Sequence, residues 1–393
     1  MSKGIIISAM LCLGTALVAT GQNSTSSPYS RYGYGTLVDG ASAKGRGMGG
    51  LSVGLRDNKY TNFNNPATYT AIDSLNFRFE VGASMRSSFY TSGDSKSNDF
   101  SGNLERVGLQ FPIKNWMGIA IGIEPYSIVG YNYSDSEKEI ATNSNDKLKD
   151  TYAGKGGINQ LIVGVGFKPW TPFSFGCNLK FLFGDITTQS LVSFDNSKYK
   201  AFYHSTLQTN LIDVRDLAVT FGAQYEIETG EENKLVLGAT FEPKNNLNTE
   251  ATKTFVTSGI DTTETKYEDA FELPMTLGLG ATYNLKNKWT FGVDYKLQKW
   301  SNAKYFGDKV FEDRKKLTVG AELLPNNTSK RYFTNGGKRK GISCKLVGAI
   351  EMALLFALFE SFLAGTSNNS FIWVYKWWGV LPVFITTYVP FFL

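Results

Sequence analysis

The strongest constraint on this chain is a hydropathy pattern of period two, sustained for the length of a bilayer crossing. Trp289, Phe291, Val293, Tyr295 and Leu297 alternate with Thr290, Gly292, Asp294, Lys296 and Gln298. Successive side chains of a strand point to opposite faces, so one face here is aromatic and apolar while the other is polar, charged or small. The same alternation runs through Leu217, Val219, Phe221, Ala223, Tyr225 and Ile227, and through Phe173, Phe175, Cys177, Leu179, Phe181 and Phe183. It recurs in Met275, Leu277, Leu279, Ala281, Tyr283 and Leu285, with shorter runs at 77–85, 107–113, 117–123, 161–167, 235–241 and 317–323. These make about ten segments of roughly the length a tilted strand needs to cross a membrane. Tight connections at 229–233 and 284–288 contrast with long polar ones at 134–155, 195–205 and 249–268. Short turns on one side and long loops on the other are the layout of an outer-membrane barrel. The pattern predicts an all-β fold, an antiparallel transmembrane β-barrel over residues 76–325.

A soluble β-sandwich also alternates and also has polar loops. Three features favour the membrane barrel: the segments are long, the apolar face is aromatic throughout, and the polar face carries Arg78, Glu80, Lys180, Asp294 and Glu322. A sandwich seldom needs strands of that length. Composition agrees, with 40 Gly, 20 Tyr, 28 Phe and 7 Trp against 1 His and 3 Cys. The mean hydropathy of −0.18 is no objection, because lipid-facing and lumen-facing residues average out along each strand. The net charge of +5 is spread along the chain, and the only basic triplets, 314–316 and 338–340, come late. That leaves no footprint for nucleic acid.

Residues 1–21 read as an export signal, with Lys3 in the n-region, an apolar stretch over 4–19 and small residues Ala19, Thr20 and Gly21 at the cleavage site. Cys12 lies within the apolar stretch after bulky Leu11, which disfavours a lipoprotein reading. Cleavage would leave Cys177 and Cys344, a weak case for a disulfide. Residues 22–75 lack clean periodicity, but Leu37, Met48, Leu51, Val53, Phe63 and Ile72 could pack them against something.

Two stretches go beyond a generic barrel. The first is Gly47-Met48-Gly49-Gly50-Leu51-Ser52-Val53, followed by Phe63-Asn64-Asn65-Pro66-Ala67. The second opens on Leu273-Pro274-Met275 and closes an adjacent hairpin on Lys299-Trp300-Ser301-Asn302. Their order and spacing resemble the N-terminal hatch and a late hairpin of FadL-type outer-membrane transporters, over roughly residues 30–325. The resemblance implies a barrel of about fourteen strands with 22–75 folded inside as a plug. It also implies passive transport of hydrophobic small molecules such as long-chain fatty acids: capture near the outer loops, movement of the hatch, and exit through a gap in the wall. The residues it points to are Gly47, Gly49, Gly50, Asn65, Pro66 and Ala67 in the hatch, and Leu273, Pro274, Trp300 and Ser301 in the barrel. Expected partners are the hydrophobic ligand, outer-membrane lipid and lipopolysaccharide, and the barrel assembly machinery; a monomer is expected.

Simpler roles compete for some of these residues. Pro66 could be a plain turn proline, and Trp300 at a strand end reads first as an interfacial girdle residue. The glycines at 45–50 lack the preceding strand and following helix of a phosphate loop. His204 stands alone, without metal spacing or a nucleophile to serve, so neither a metal, a cofactor nor an enzyme is expected. Asp94, Asp135, Glu137 and Asp146 read as loop carboxylates, solvated or bridged by cations to lipopolysaccharide. The alternative function is a structural or adhesive barrel that transports nothing.

After residue 326 the alternation fails. Residues 346–364 and 371–393 are dense apolar runs preceded by Lys338-Arg339-Lys340, like a stop-transfer flank. A barrel of this kind would add about four more alternating strands. Either the tail is the product of a shifted reading frame or it is a helical hairpin. The first is favoured, because spanning helices would hold the chain in the inner membrane.

Overall fold

The computed structural model describes residues 27–73, 76–92, 95–135, 138–139, 147–195, 204–230, 232–257, 261–324 and 384–385. The export signal at 1–21, Cys344, Asp94, Glu137, Asp146 and nearly all of the apolar tail fall outside these residues.

Most of the described residues are in antiparallel strands. In order these are β1 (Thr36–Leu37), β2 (Arg78–Ser92), β3 (Ser95–Lys114), β4 (Met117–Ser134), β5 (Lys138–Glu139), β6 (Lys147–Trp170), β7 (Phe173–Asp195) and β8 (Thr206–Gly230). Then come β9 (Asn233–Glu242), β10 (Asn245–Leu247), β11 (Thr249–Thr257), β12 (Asp261–Glu268), β13 (Phe271–Leu273), β14 (Thr276–Leu285), β15 (Trp289–Gln298), β16 (Arg314–Leu323) and β17 (Phe384–Ile385). The main sheet runs β16-β15-β14-β9-β8-β7-β6-β4-β3-β2, with β17 against Gly82 and Val81 of β2. Each of the ten alternating segments lies in one of the ten long strands of this sheet. Among the described residues β2 and β16 do not pair with each other.

Burial is inside out relative to a soluble protein. Leu217, Phe221, Leu279, Phe291 and Val319 stand exposed, whereas Gln110, Asn178, Thr220 and Gln224 are at most 2% exposed. Exposed aromatics and buried amides are what a barrel wall in lipid requires. At the turn end, Trp116 stacks near Phe167, Trp170 near Phe173 and Trp289 near Phe291, forming part of an aromatic girdle. The tight turn after β14 places Lys286 and Asn287 at φ 53° and 50°, the handedness a two-stranded hairpin prefers.

Two of the long connections differ from expectation. β6, β7 and β8 run 24, 23 and 25 residues, far beyond the ~10 that cross a bilayer, and project past it on the loop side. Residues 249–268 form the hairpin β11–β12, which pairs with the outer part of β8. Threonines and charges alternate there, and only Ala251 and Tyr267 reach the buried cluster, so greasy alternation does not mark them as strands.

The hatch segment lies inside the bore, and glycines make room for it. Neighbouring strands place Gly118 opposite Gly166, Gly166 opposite Gly176 and Gly176 opposite Gly222. Further round, Gly238 faces Gly280 and Gly292 faces Gly320. A methyl on Gly118 would sit 2.2 Å from the Tyr69 carbonyl, and one on Gly238 would sit 2.1 Å from that of Val53. One on Gly320 would sit 2.1 Å from the Met48 carbonyl. This belt lets hatch backbone touch wall backbone around most of the bore. Gly238→Ala should therefore lower barrel stability by about 1–3 kcal/mol, whereas Gly102→Ala, whose methyl meets nothing nearer than 3.9 Å, should be neutral. Thermal unfolding in detergent followed by circular dichroism tests the contrast.

Candidate functional site

The hatch has two parts that are held differently. Its body, residues 39–73, is fastened to the wall by polar contacts. Asp294 of β15 points inward and accepts the backbone N–H groups of Ser52 at 2.6 Å, Val53 at 2.7 Å and Gly54 at 3.2 Å. Arg106 of β3 donates to the carbonyls of Thr61, Gly40 and Ala41 and lies 3.3 Å from Glu124 and 3.8 Å from Glu80. Lys44 bridges Asp57 and Glu322, both at 2.8 Å. Burial pulls the Lys44 ammonium down, but those two carboxylates more than offset it and hold it above its ordinary range.

Asn65, Pro66 and Ala67 form the central element of this body. Asn65 donates to the Val53 carbonyl at 2.8 Å and accepts from the Ala67 N–H, capping the 3-10 turn Pro66–Ala71. Pro66 occupies its first turn, where a missing N–H costs nothing. Its carbonyl rests against Gly166 and Gly176, so it acts as turn proline and wall contact together. Gly47 ends a one-turn helix, Ala43–Gly47, where no helix is expected from the sequence. Gly49 and Gly50 have φ of 75° and 100°, a backbone that reverses the chain against Val319 and Lys316.

The other part is a limb, residues 27–38, and it takes the place of a wall strand. β3 and β4 pair only from Lys114↔Met117 to Val107↔Ile123. Above that level the ladder of β3 with β2 is bulged between Gly82 and Ala83, and that of β4 with β6 between Pro125 and Ser127. There β4 pairs with β1 instead, Thr36 opposite Ile128 and Leu37 opposite Ser127. The Ser27 and Val38 N–H groups add bonds to the Gly130 and Tyr126 carbonyls, and the Ser30 hydroxyl contacts the Gly130 backbone. Bulges bend strands and end pairing, which is the local cause of the parting.

Above the hatch the bore turns apolar. Tyr34 of the limb, Ile158, Leu182, Ile186, Ile212, Val214, Phe271, Leu273 and Trp300 form one buried cluster. Tyr34 lies 5.8 Å from Trp300 and 5.3 Å from Tyr305, ring centre to ring centre, and donates its hydroxyl to the Glu272 carbonyl. Burial pushes the Tyr305 phenol up to about 12. Trp300, expected in the lipid-facing girdle, is 6% exposed inside this cluster. The chain turns inward after β15, and loop residue Phe311 packs against its indole. Leu273 pairs with Asn245, and Pro274 is buried beside it. Ser301 instead faces outward and holds Asp313 with Lys299, which brings that carboxyl down to about 2.

Between the cluster and the hatch body lies a cavity of about 40 Å³. Its lining includes Leu37, Asp39, Gln160, Lys180, Glu242, Lys296 and Arg314. Burial raises the Asp39 carboxyl, but Lys316 at 2.7 Å and Arg314 at 3.8 Å more than compensate and hold it below its usual range. Gln160 is 6% exposed and donates to Glu124, while its carbonyl oxygen has no hydrogen-bond partner among the described residues. Nothing in the sequence pattern singles out Asp39, Arg106, Tyr34 or Phe271. The nearest signal is the place of Phe271, two residues before Leu273-Pro274.

A family model for BamG matches residues 1–349. The chain belongs to the BamG family. A second model, for an uncharacterized membrane protein family, matches residues 318–393 and overlaps the first over 318–349, the stretch in which the regular alternation stops. No curated protein matches. Among solved structures, a TodX mutant, described as a monoaromatic hydrocarbon channel, shares 16% identity with this BamG-family chain. It covers 72% of this chain and 80% of its own, with a TM-score of 0.50. The Ralstonia pickettii toluene transporter TbuX matches at 12% identity, 72% and 82% coverage and TM-score 0.48. A Pseudomonas aeruginosa FadL homologue matches at 13%, 74% and 78%, and 0.46. The TodX match supports the FadL-type barrel fold that the Gly-rich and Asn-Pro-Ala stretches suggested.

Three buried N–H groups share the Asp294 carboxylate, and each hydrogen bond to a charged acceptor is worth about 1.5–3 kcal/mol. Asp294→Ala should therefore cost at least about 3 kcal/mol, and Asp294→Asn, which keeps one acceptor oxygen, clearly less. Thermal unfolding of the two variants in detergent checks the order.

Proposed function

We propose that this BamG-family barrel carries hydrophobic small molecules through the outer membrane, taking them into the apolar cluster and releasing them sideways between β3 and β4. The single observation that carries this reading is the parted wall: the outer half of β4 is paired by the hatch limb and not by β3. Among the described residues, two backbone pairs, two further backbone bonds, the Ser30 hydroxyl and Arg31, which donates to the Tyr133 hydroxyl, close it. The limb also supplies Tyr34 to the apolar cluster, so a ligand that enters there must displace a limb residue. The body, held by Asp294, Arg106 and Lys44, stays in place and blocks the lower bore, leaving the wall as the way out. This narrows the moving part of the hatch from 22–75 to the limb.

Long-chain fatty acids suit the site as the finer assignment. The cavity beneath the cluster is lined by three cations, Lys180, Lys296 and Arg314, against two carboxylates, Asp39 and Glu242. An apolar chain above and one carboxylate below would match both surfaces. The channels similar in structure carry monoaromatic hydrocarbons by description, and such uncharged solutes would use only the upper surface.

A structural barrel that transports nothing is the second reading, favoured by the ion-paired body that fills the lower bore. Uptake distinguishes them. Paired cysteines introduced as Thr36→Cys and Ile128→Cys face each other across an antiparallel ladder at a separation a disulfide can bridge. Cells with the oxidised lock should take up labelled fatty acid at the rate of cells without the protein, and reduction should restore uptake. Equal uptake by the locked and reduced forms would refute the lateral route. Uptake no faster than in cells lacking the protein, whether locked or reduced, would favour the structural barrel.

A further inference from the structure

We propose that Asp39 is a counter-ion latch on the limb, and that the anionic head group of an incoming amphiphile opens the wall by replacing it. The inference rests on the transport reading above and adds what triggers release. Asp39 directly follows the last limb residue, Val38, whose N–H bonds β4. Its carboxylate spans the bore to β16, where Lys316 holds it at 2.7 Å with Arg314 at 3.8 Å. The limb is thereby tied to two walls at once, to β4 by its backbone with Ser30 and Arg31, and to β16 by Asp39.

The cavity that Asp39 lines is the place where an exchange could occur. Lys180 is already paired with Glu242, and Arg314 donates to Gln298 at 3.0 Å. Lys296 faces the same space. A space of about 40 Å³ admits something the size of one carboxylate or a water or two, not a hydrocarbon chain. The adjoining apolar cluster would take the chain, because Leu37 and Tyr126 line the cavity and also pack against the cluster. A carboxylate that enters gains Lys296 and shares Arg314 with Asp39. It also places a second negative charge beside Asp39 in a space with little water, where like charges a few ångströms apart repel by several kcal/mol. Asp39 then leaves for solvent, and the chain displaces Tyr34 from the aromatic cluster at the same time. The limb thus loses its ties to β16 and to the aromatic cluster to one ligand and keeps only those to the neighbouring wall. An uncharged ligand of equal length removes Tyr34 but leaves the ion pair intact.

The test uses the full-length protein in nanodiscs, in a Cys177→Ala, Cys344→Ala background, with the Thr36→Cys/Ile128→Cys pair. Two measurements are made: the rate at which the pair oxidises, and ligand binding by tryptophan fluorescence. The probes are oleate and oleyl alcohol. The latch predicts that bound oleate slows disulfide closure about tenfold, the factor that accompanies loss of one favourable charge contact, and that bound oleyl alcohol does not. Asp39→Asn should close slowly without any ligand and respond to neither probe. Lys316→Gln removes the other half of the pair and should behave alike, which guards against a folding defect in one variant. If both probes bind and closure slows equally or not at all, or if both variants close like the parent, the latch is refuted while capture stands. Binding of neither probe would refute capture and the latch with it.

Discussion

Everything in this molecule depends on backbone meeting backbone inside the bore. A barrel wall ordinarily fills its interior with side chains. Here glycines recur on the inner face at the same level of successive strands, and at Gly118, Gly166, Gly176, Gly238 and Gly320 the hatch backbone lies directly against them. Asp294 then supplies the acceptors that the hatch N–H groups would otherwise lack. In a space without water, an unpartnered N–H would cost about as much as a whole hydrogen bond returns. The hatch body is thus a structural part of the barrel and not a loose stopper.

That arrangement divides the labour among three levels of the bore. The lowest is closed by ion pairs and by the Asn65-Pro66-Ala67 turn. The middle holds a small polar cavity with more cations than carboxylates. The highest is apolar, built from inward-facing aliphatic residues of β6, β7 and β8 and from aromatics that the loops fold back over them. The limb runs beside the upper two levels and fills in for β3 where that strand parts from β4. A ladder of only two residue pairs therefore lies beside the most apolar space of the described wall.

Much of this is legible in the order of residues alone. Period-two alternation locates the ten long strands of the described residues, and the charges at Arg78, Glu80, Asp294 and Glu322 mark the inner face as distinct from lipid. The hatch is visible through Asn65-Pro66-Ala67 and the nearby glycines. Other elements are silent for definite reasons. β11 and β12 lack the greasy alternation that would betray them. Trp300 has the same sequence context whether its strand end faces lipid or turns inward, and only the path of the following loop decides. The inward glycines read simply as small residues, because a missing side chain does not say what backbone will occupy its place.

The sequence alone determined that this chain is a ribbon with one greasy and one polar side, long enough to cross a membrane many times, preceded by a segment unlike the rest. Those properties are local, written into residues two apart. Only the tertiary structure decided that β3 and β4 separate, that residues 27–38 stand in the breach, and that Asp39 reaches the far wall. Each of these joins positions tens to hundreds of residues apart, and no periodicity along a chain can specify which distant groups will meet across an enclosed space.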